Sequence, residues 1–322
     1  MARSTSTTAG RPTVNGQRRA PWWLRLWRDK ALVLFLIPGT AALLIFHYFP
    51  LAGNVIAWQD YQPFLGIENS DWVAWDNFEV IINGDPRFLT ALKNTLILTL
   101  MQSVLVFPAP IILAVLLNSL FSERIKHLAQ SILYLPHFLS WVIVVAVFQQ
   151  MLGGSGLLNN FLRANDFTTV SIIGNPEVFR VLLTSQVIWK DTGWATILFL
   201  AALSQISSEL YEAASVDGAS RWRQTWHITL PGIRGVIILL FILKLGDSLS
   251  VGFEQILLQQ AAVGREVSEV IDTYVYNFGI VGGNWGVAAA IGLVKGVVGV
   301  ALVLGANKLA HVFGEDGVYR HG

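Results

Sequence analysis

The sequence predicts an all-α integral membrane protein with six spanning helices and both termini in the cytoplasm. Three observations carry that prediction. Charge is scarce: 13% of the 322 residues are charged and 53% are apolar, and the mean hydropathy is +0.54. An ordinary soluble domain has about 25% charged residues, because its surface must face water. Residues 31–59, 94–122 and 127–162 contain no Asp, Glu, Lys or Arg, and about 20 apolar residues cross the hydrocarbon core. Finally, the basic residues between spans fall mainly on one side, the signature of cytoplasmic loops.

The elements follow in order. Residues 1–30 form a basic tail with Arg3, Arg11, Arg18, Arg19, Arg25, Arg28 and Lys30. Within it, 17–28 interleaves Arg with Trp22, Trp23 and Trp27, a composition that suits a helix lying in the membrane interface. The membrane body runs over 31–309, with spans near 31–52, 89–118, 127–151, 178–203, 233–257 and 286–309. A cleaved signal peptide is the competing reading of the first apolar run. Its charge-free length of 29 residues exceeds a signal core of about 7–15, and no clear small-x-small site follows. The last three spans are less pure, holding Lys190 and Asp191, Lys244 and Asp247, and Lys295. Residues 310–322 form the C-terminal tail.

Orientation rests on position. Arg124 and Lys126, Arg221 and Arg223, and Lys308 and Arg320 share the side of the N-terminal tail, whereas the opposite loops hold Arg87, Arg163 and Arg265. The first external loop, 53–88, is acidic and aromatic, with Asp60, Glu68, Asp71, Asp76, Glu79 and Asp85 beside Trp58, Tyr61, Trp72 and Trp75. Pro38, Pro50, Pro108, Pro110 and Pro136 lie in or at the ends of spans, as tolerated kinks or as hinges.

Several chemistries are excluded or lack support. There is no Cys, hence no disulfide, thiolate nucleophile or Cys-ligated zinc. No Gly-Lys pair occurs, so there is no phosphate-binding loop and the chain does not hydrolyse ATP itself. The six His residues are scattered, without an i,i+4 pair, and no G-x-S-x-G elbow exists. A net charge of +1 does not suggest nucleic acid.

The longest polar segment inside the body is 204–231, on the cytoplasmic side. Its pattern predicts two short helices around Gly218: Leu210, Ala213 and Ala214 form one apolar side, and Trp222, Thr225 and Trp226 restart the period. Pro231 stops the segment just before the next span. Small residues and a kinked shape suit docking into a cleft on another protein.

The frame Glu212-Ala213-Ala214, three residues, Gly218, nine residues, Ile228-x-Leu230-Pro231 resembles the EAA loop of ABC-importer permeases at every spaced position. The tail Phe313–Tyr319 and the segment from Asn284-Trp285-Gly286 to Gly305-Ala306-Asn307 resemble the oligosaccharide branch of that family, nearest to permeases for polysaccharides and alginate-type oligouronides. The resemblance implies a six-helix type I importer half in a bacterial inner (cytoplasmic) membrane. It implies a second permease subunit, two separate ATPase subunits that bind ATP and Mg²⁺, an extracytoplasmic substrate-binding protein, and an oligosaccharide moved inward, acidic in the alginate-type case. Carried over by position, Glu212, Ala213, Ala214, Asp217 and Gly218 form the loop that couples to the ATPases. The chain itself would bind no cofactor or metal.

Ionisable groups at membrane depth usually face a cavity or a partner. Lys244, Asp247, Ser248, Glu254 and Gln255 fall on one stripe of the fifth predicted helix, and Gln186, Trp189, Lys190 and Gly193 on one stripe of the fourth. They are candidates for a hydrated pathway in which aromatic rings stack on sugars and charges bind hydroxyls or carboxylates. The alternative is internal neutralisation, with Lys244 against Asp247 and Lys190 against a neighbour. In the sixth helix, Ala288, Gly292, Lys295, Gly296 and Gly299 form a small-residue stripe, suited to close packing or to a wide place for substrate. Gly279–Trp285 reads as a flexible gate or a plain turn. Two other classes remain. A secondary transporter would need inverted repeats, and none is clear. An enzyme acting on lipid-linked sugar would need a carboxylate pair at one interface, and the external acids are dispersed.

Overall fold

A computed structural model describes residues 30–120, 122–312, 314, 317 and 318. The interfacial segment at 17–28, the basic residues before Lys30 and most of the C-terminal tail lie outside the described residues. The chain divides after Asn54 into two compact units. In the first, α1 (Lys30–Leu43) continues through a π turn (Leu44–Tyr48) into Phe49–Ala52. It is apolar all round and almost wholly exposed, the composition of a helix whose solvent is lipid.

The second unit opens with a short hairpin, β1 (Gln59–Asp60) against β2 (Asp71–Trp72), antiparallel with Gln59 opposite Trp72. Trp58, Trp75 and Phe78 cluster nearby, the two tryptophans edge to face and the phenylalanine tilted against both. Then follow α2 (Pro86–Met101), α3 (Pro108–Asn118), α4 (Glu123–Tyr134), α5 (Trp141–Leu152), α6 (Leu157–Ala164) and the long α7 (Phe179–Leu203). The pair α8 (Ser208–Val216) and α9 (Arg221–Gln224) leads to α10 (Arg234–Gly246). After α11 (Phe253–Val263) and α12 (Ile271–Tyr274), α13 (Trp285–Val312) closes the bundle.

Among the described residues, four helical runs are long and apolar enough to span: Lys30–Trp58, Pro86–Asn118, Trp141–Ala164 and Trp285–Val312. A fifth is counted if Arg221–Gly232 and Arg234–Gly246, bent by 60°, form one. The six predicted spans are thus not all reproduced. Residues of α7 are numerous enough to cross, but Gln186, Lys190, Asp191 and Thr192 dilute its hydropathy.

Two predicted helices need correction. The span placed at 127–151 is broken. Pro136 sits in a 3-10 turn (Leu135–Phe138), Leu139 is extended, and Ser140 caps α5 by accepting the Ile143 N–H at 3.4 Å. The span placed at 233–257 ends at Gly246. Residues 247–252 are not α-helical, and Gly252, in the left-handed region at φ 81°, starts α11. Hydropathy windows average across both breaks; Pro136, read as a kink or hinge, marked the first, and hydropathy did not mark the second.

Three of the prolines act through a common device. π turns at Leu44–Tyr48, Gln102–Val106 and Thr225–Thr229 each end two residues before a proline: Pro50, Pro108 and Pro231. A proline ring in a regular helix collides with the carbonyl one turn back. Widening that turn by one residue moves the carbonyl aside and keeps the helix running.

The core is assembled from separate patches. α7 lies along α3, burying Ala114, Phe199, Ala202, Leu203 and Ile233. Leu98, Phe179, Leu183, Ile256 and Val270 join α2, α7 and α11. Phe88, Ala91, Ile271, Tyr274 and Ile291 join α2, α12 and α13. Buried polar groups tie the same end together. The Asn94 amide donates to the Glu266 and Glu269 carbonyls at 3.0 and 2.9 Å and receives Arg180 at 2.9 Å.

Candidate functional site

Two regions bear on function: the α8–α9 segment and a cleft beside α10 and α13. In the first, Ser207 caps α8 by accepting the Glu209 N–H at 3.3 Å. α8 ends in a Schellman turn. Gly218, at φ +75°, donates to the Ser215 carbonyl at 3.1 Å and Ala219 donates to that of Ala214 at 2.8 Å. Asp217 is the C-cap. Ser220 immediately caps α9 through the Arg223 N–H at 3.4 Å. The corner is braced from behind, where Gln224 donates to Ser215 Oγ and the Ala219 carbonyl and Tyr211 meets Thr229 at 3.1 Å.

That bracing turns the other face outward. Glu212, Ala213, Asp217 and Gly218 are exposed, and Ala214 is half-buried. Glu212 has no ion-pair partner among the described residues. Val216 is 89% and Trp222 71% exposed, with Trp226 packed edge-on against Trp222. The corner thus presents an unpartnered carboxylate and bare apolar groups together, features common to protein docking surfaces.

The second region is a cleft of about 940 Å³, lined by Asp247, Ser250, Asp272, Gly292, Lys295 and Gly296 among others. That volume lies within the usual range for ligand sites of about 300–1,000 Å³. The Lys295 ammonium pairs with Asp272 Oδ1, and each side chain is 22% exposed. Asp247, the C-cap of α10, is exposed there. A Cβ built on Gly292 or Gly296 would meet nothing within 4 Å, whereas one on Gly299 would come within 2.9 Å of the Gly246 carbonyl. The small-residue stripe therefore has two roles: it opens space at its start and packs closely at its end.

The structure separates the other predicted residues. The proposed stripe through Lys244, Asp247, Ser248, Glu254 and Gln255 does not exist, because the helix stops at Gly246. Lys244 reaches Gln102 Oε1 at 3.4 Å and forms no ion pair with Asp247. Ser248 is buried, its carbonyl receiving the Thr99 hydroxyl. Gln186 is fully buried, accepting from Gln255 at 2.7 Å and bonding Gln259 at 3.0 Å. Lys190 is 6% exposed and donates to the His137 carbonyl at 2.6 Å, with Asp191 at 3.9 Å and the Trp141 ring beneath it at 5.5 Å. Gly193 is buried where α7 crosses the backbone of Leu133. Trp189 is half-exposed, edge-on to Phe148.

Sequence reasoning missed Asp272 and His137. Asp272 fell in what read as an external loop, yet Lys295 at membrane depth required an anion nearby, and that demand was the available signal. His137 binds Asp191 at 2.9 Å through Nδ1 and stacks on Trp194 at 4.8 Å. It had no sequence signal, because only the break at Pro136 turns it toward α7.

Comparison with known proteins adds a second line. Residues 89–311 match the family described as "Binding-protein-dependent transport system inner membrane component". The chain is 45% identical over 304 residues to the polygalacturonan/rhamnogalacturonan transport system permease protein YteP of Bacillus subtilis (strain 168), covering 94% of each. It resembles a chain of a bacterial alginate ABC transporter crystallised with alginate pentasaccharide-bound periplasmic protein, with a TM-score of 0.83, 36% identity, and coverage of 92% of this chain and 99% of that one. A second structure, of a bacterial ABC transporter involved in the import of the acidic polysaccharide alginate, gives a TM-score of 0.81 at 37% identity over 90% and 98%.

Proposed function

The chain belongs to the family of binding-protein-dependent transport system inner membrane components, and from that premise we propose that it carries an acidic oligosaccharide inward, driven by ATPases gripping the α8–α9 corner. It is the permease subunit of a sugar ABC importer and resides in the inner membrane. The relatives named above handle polygalacturonan, rhamnogalacturonan and alginate. All three contain uronic acids, which carry a carboxylate at neutral pH. An oligouronide is thus the substrate class that the reading names. Its partners are a second permease, two ATPase subunits and an external substrate-binding protein. The bundle is read as six-helical with both termini inside.

The carrying observation is the corner itself. A twenty-residue motif frame, Glu212 to Pro231, falls on a capped, braced and outward-facing helix pair. Gly218 supplies the left-handed turn that an L-residue occupies only at a cost of about 1–2 kcal/mol. ATP closing the ATPase dimer would move α8, and α7 and α10 with it. The cleft holding Asp247 and Lys295 is the best candidate for a substrate-contacting wall. Trp189 and Lys244 border the pathway in this reading, and Gln186, Lys190, Gly193 and Ser248 support its walls.

The test is a coupled assay. Glu212→Lys or Gly218→Trp should abolish hydrolysis stimulated by the loaded binding protein, with the chain still present in the membrane at normal level. Normal stimulation in the Gly218→Trp assembly would overturn the docking role.

A further inference from the structure

We infer that Asp272 stands in for a substrate carboxylate on Lys295, so that this exchangeable pair sets the preference of the cleft for uronate over neutral sugar. The inference deepens the reading of acidic-oligosaccharide import and rests on it. Three lysines were candidates for meeting an anion. The ammonium of Lys190 is buried on the His137 carbonyl and that of Lys244 reaches Gln102. Lys295 alone of the three lines the cleft.

Its surroundings are open. Gly292 and Gly296 share its face of α13 and leave empty space beside it. An ammonium has three N–H donors, and the contact with Asp272 Oδ1 occupies one. Among the described residues no other polar group holds either side chain. The pair therefore joins two partners that remain half within reach of the cleft, at 22% exposure each.

The physics of exchange follows. A lysine at membrane depth needs an anion, and Asp272 supplies one while the cleft is empty. A uronate entering the cleft offers the same carboxylate chemistry, so Lys295 exchanges one carboxylate for another, and a neutral sugar has none to offer. Asp272, freed, accepts hydrogen bonds from the sugar hydroxyls. Asp247 gives the cleft two carboxylates to one ammonium, which opposes the entering uronate and keeps its binding weak. A pathway must bind tightly enough to admit its cargo and weakly enough to release it.

The experiment uses the full assembly of both permeases and the ATPases in nanodiscs, without binding protein, and measures binding of a galacturonate trimer and of its carboxyl-reduced neutral counterpart. Wild type should prefer the uronate. Lys295→Met should weaken uronate binding about ten-fold and leave the neutral trimer unchanged, and Lys295→Arg should retain the preference. Asp272→Asn should tighten uronate binding severalfold, because Lys295 then lacks its internal partner. A wild-type ratio in both Lys295→Met and Asp272→Asn would overturn the assignment, as would a wild type that binds the two trimers equally or neither. Hydrolysis stimulated by loaded binding protein, measured on the same preparations, separates the cases. If it persists while the ratio is unmoved, the exchange fails and import stands; if wild type lacks it, the import reading fails.

Discussion

At the scale of single residues, glycines divide by what surrounds them. Gly193 has the backbone of Leu133 against it, with no rotamer to relieve a collision. Gly193→Ala should destabilise the protein by about 1–3 kcal/mol, the usual cost of overpacking, read as a lower unfolding temperature in detergent. Gly292 faces the open cleft. Gly292→Leu should leave thermal stability unchanged and reduce uptake sharply, by filling the volume beside Lys295. Equal loss of stability in both variants would refute this division. The frame that holds Glu212 and Gly218 is legible in the sequence because spacing alone carries it. The pairing of Asp272 is not, because it depends on what α13 brings to it.

At the scale of elements, the breaks matter as much as the helices. α10 and α11 were expected as one span and are two, separated by residues 247–252. The break turns Asp247 into a helix cap at the cleft and sends Gln255 into a buried amide cluster with Gln186 and Gln259. Gly252 makes the turn at φ 81°, and a Cβ there would come within 3.0 Å of Gln255 Oε1. Gly252→Ala should therefore cost about 1–2 kcal/mol and loosen α11, seen as faster amide exchange there than in α7. Unchanged exchange would mean that the break is not held by this residue. The π turns before Pro50, Pro108 and Pro231 show how the prolines are accommodated without stopping the helices.

At the scale of the whole molecule, orientation is the property most in need of a direct measurement. The absence of cysteine makes it simple. Val216→Cys, at the exposed corner, should react with an impermeant maleimide only in inside-out vesicles. Phe64→Cys, almost fully exposed in the loop read as external, should react only in right-side-out ones. The reverse pattern would invert the arrangement and sink the motor-docking account. Co-purification of a second permease and an ATPase with the tagged chain would test the partner set.

The sequence by itself determined the solvent of this protein, the family frame at Glu212–Pro231 and four helices close to their observed limits, at 31–52, 89–118, 178–203 and 286–309. Those properties are local: hydropathy, spacing and length are written along the chain. The tertiary structure decided which intramembrane charges meet. Lys295 took Asp272, Lys190 took a carbonyl, and Lys244 turned to Gln102 rather than Asp247. A helical wheel assumes an unbroken helix, and an ion pair forms between whatever surfaces packing brings together. Once residues 135–140 and 247–252 interrupted their helices, the faces drawn from the sequence no longer described the cleft.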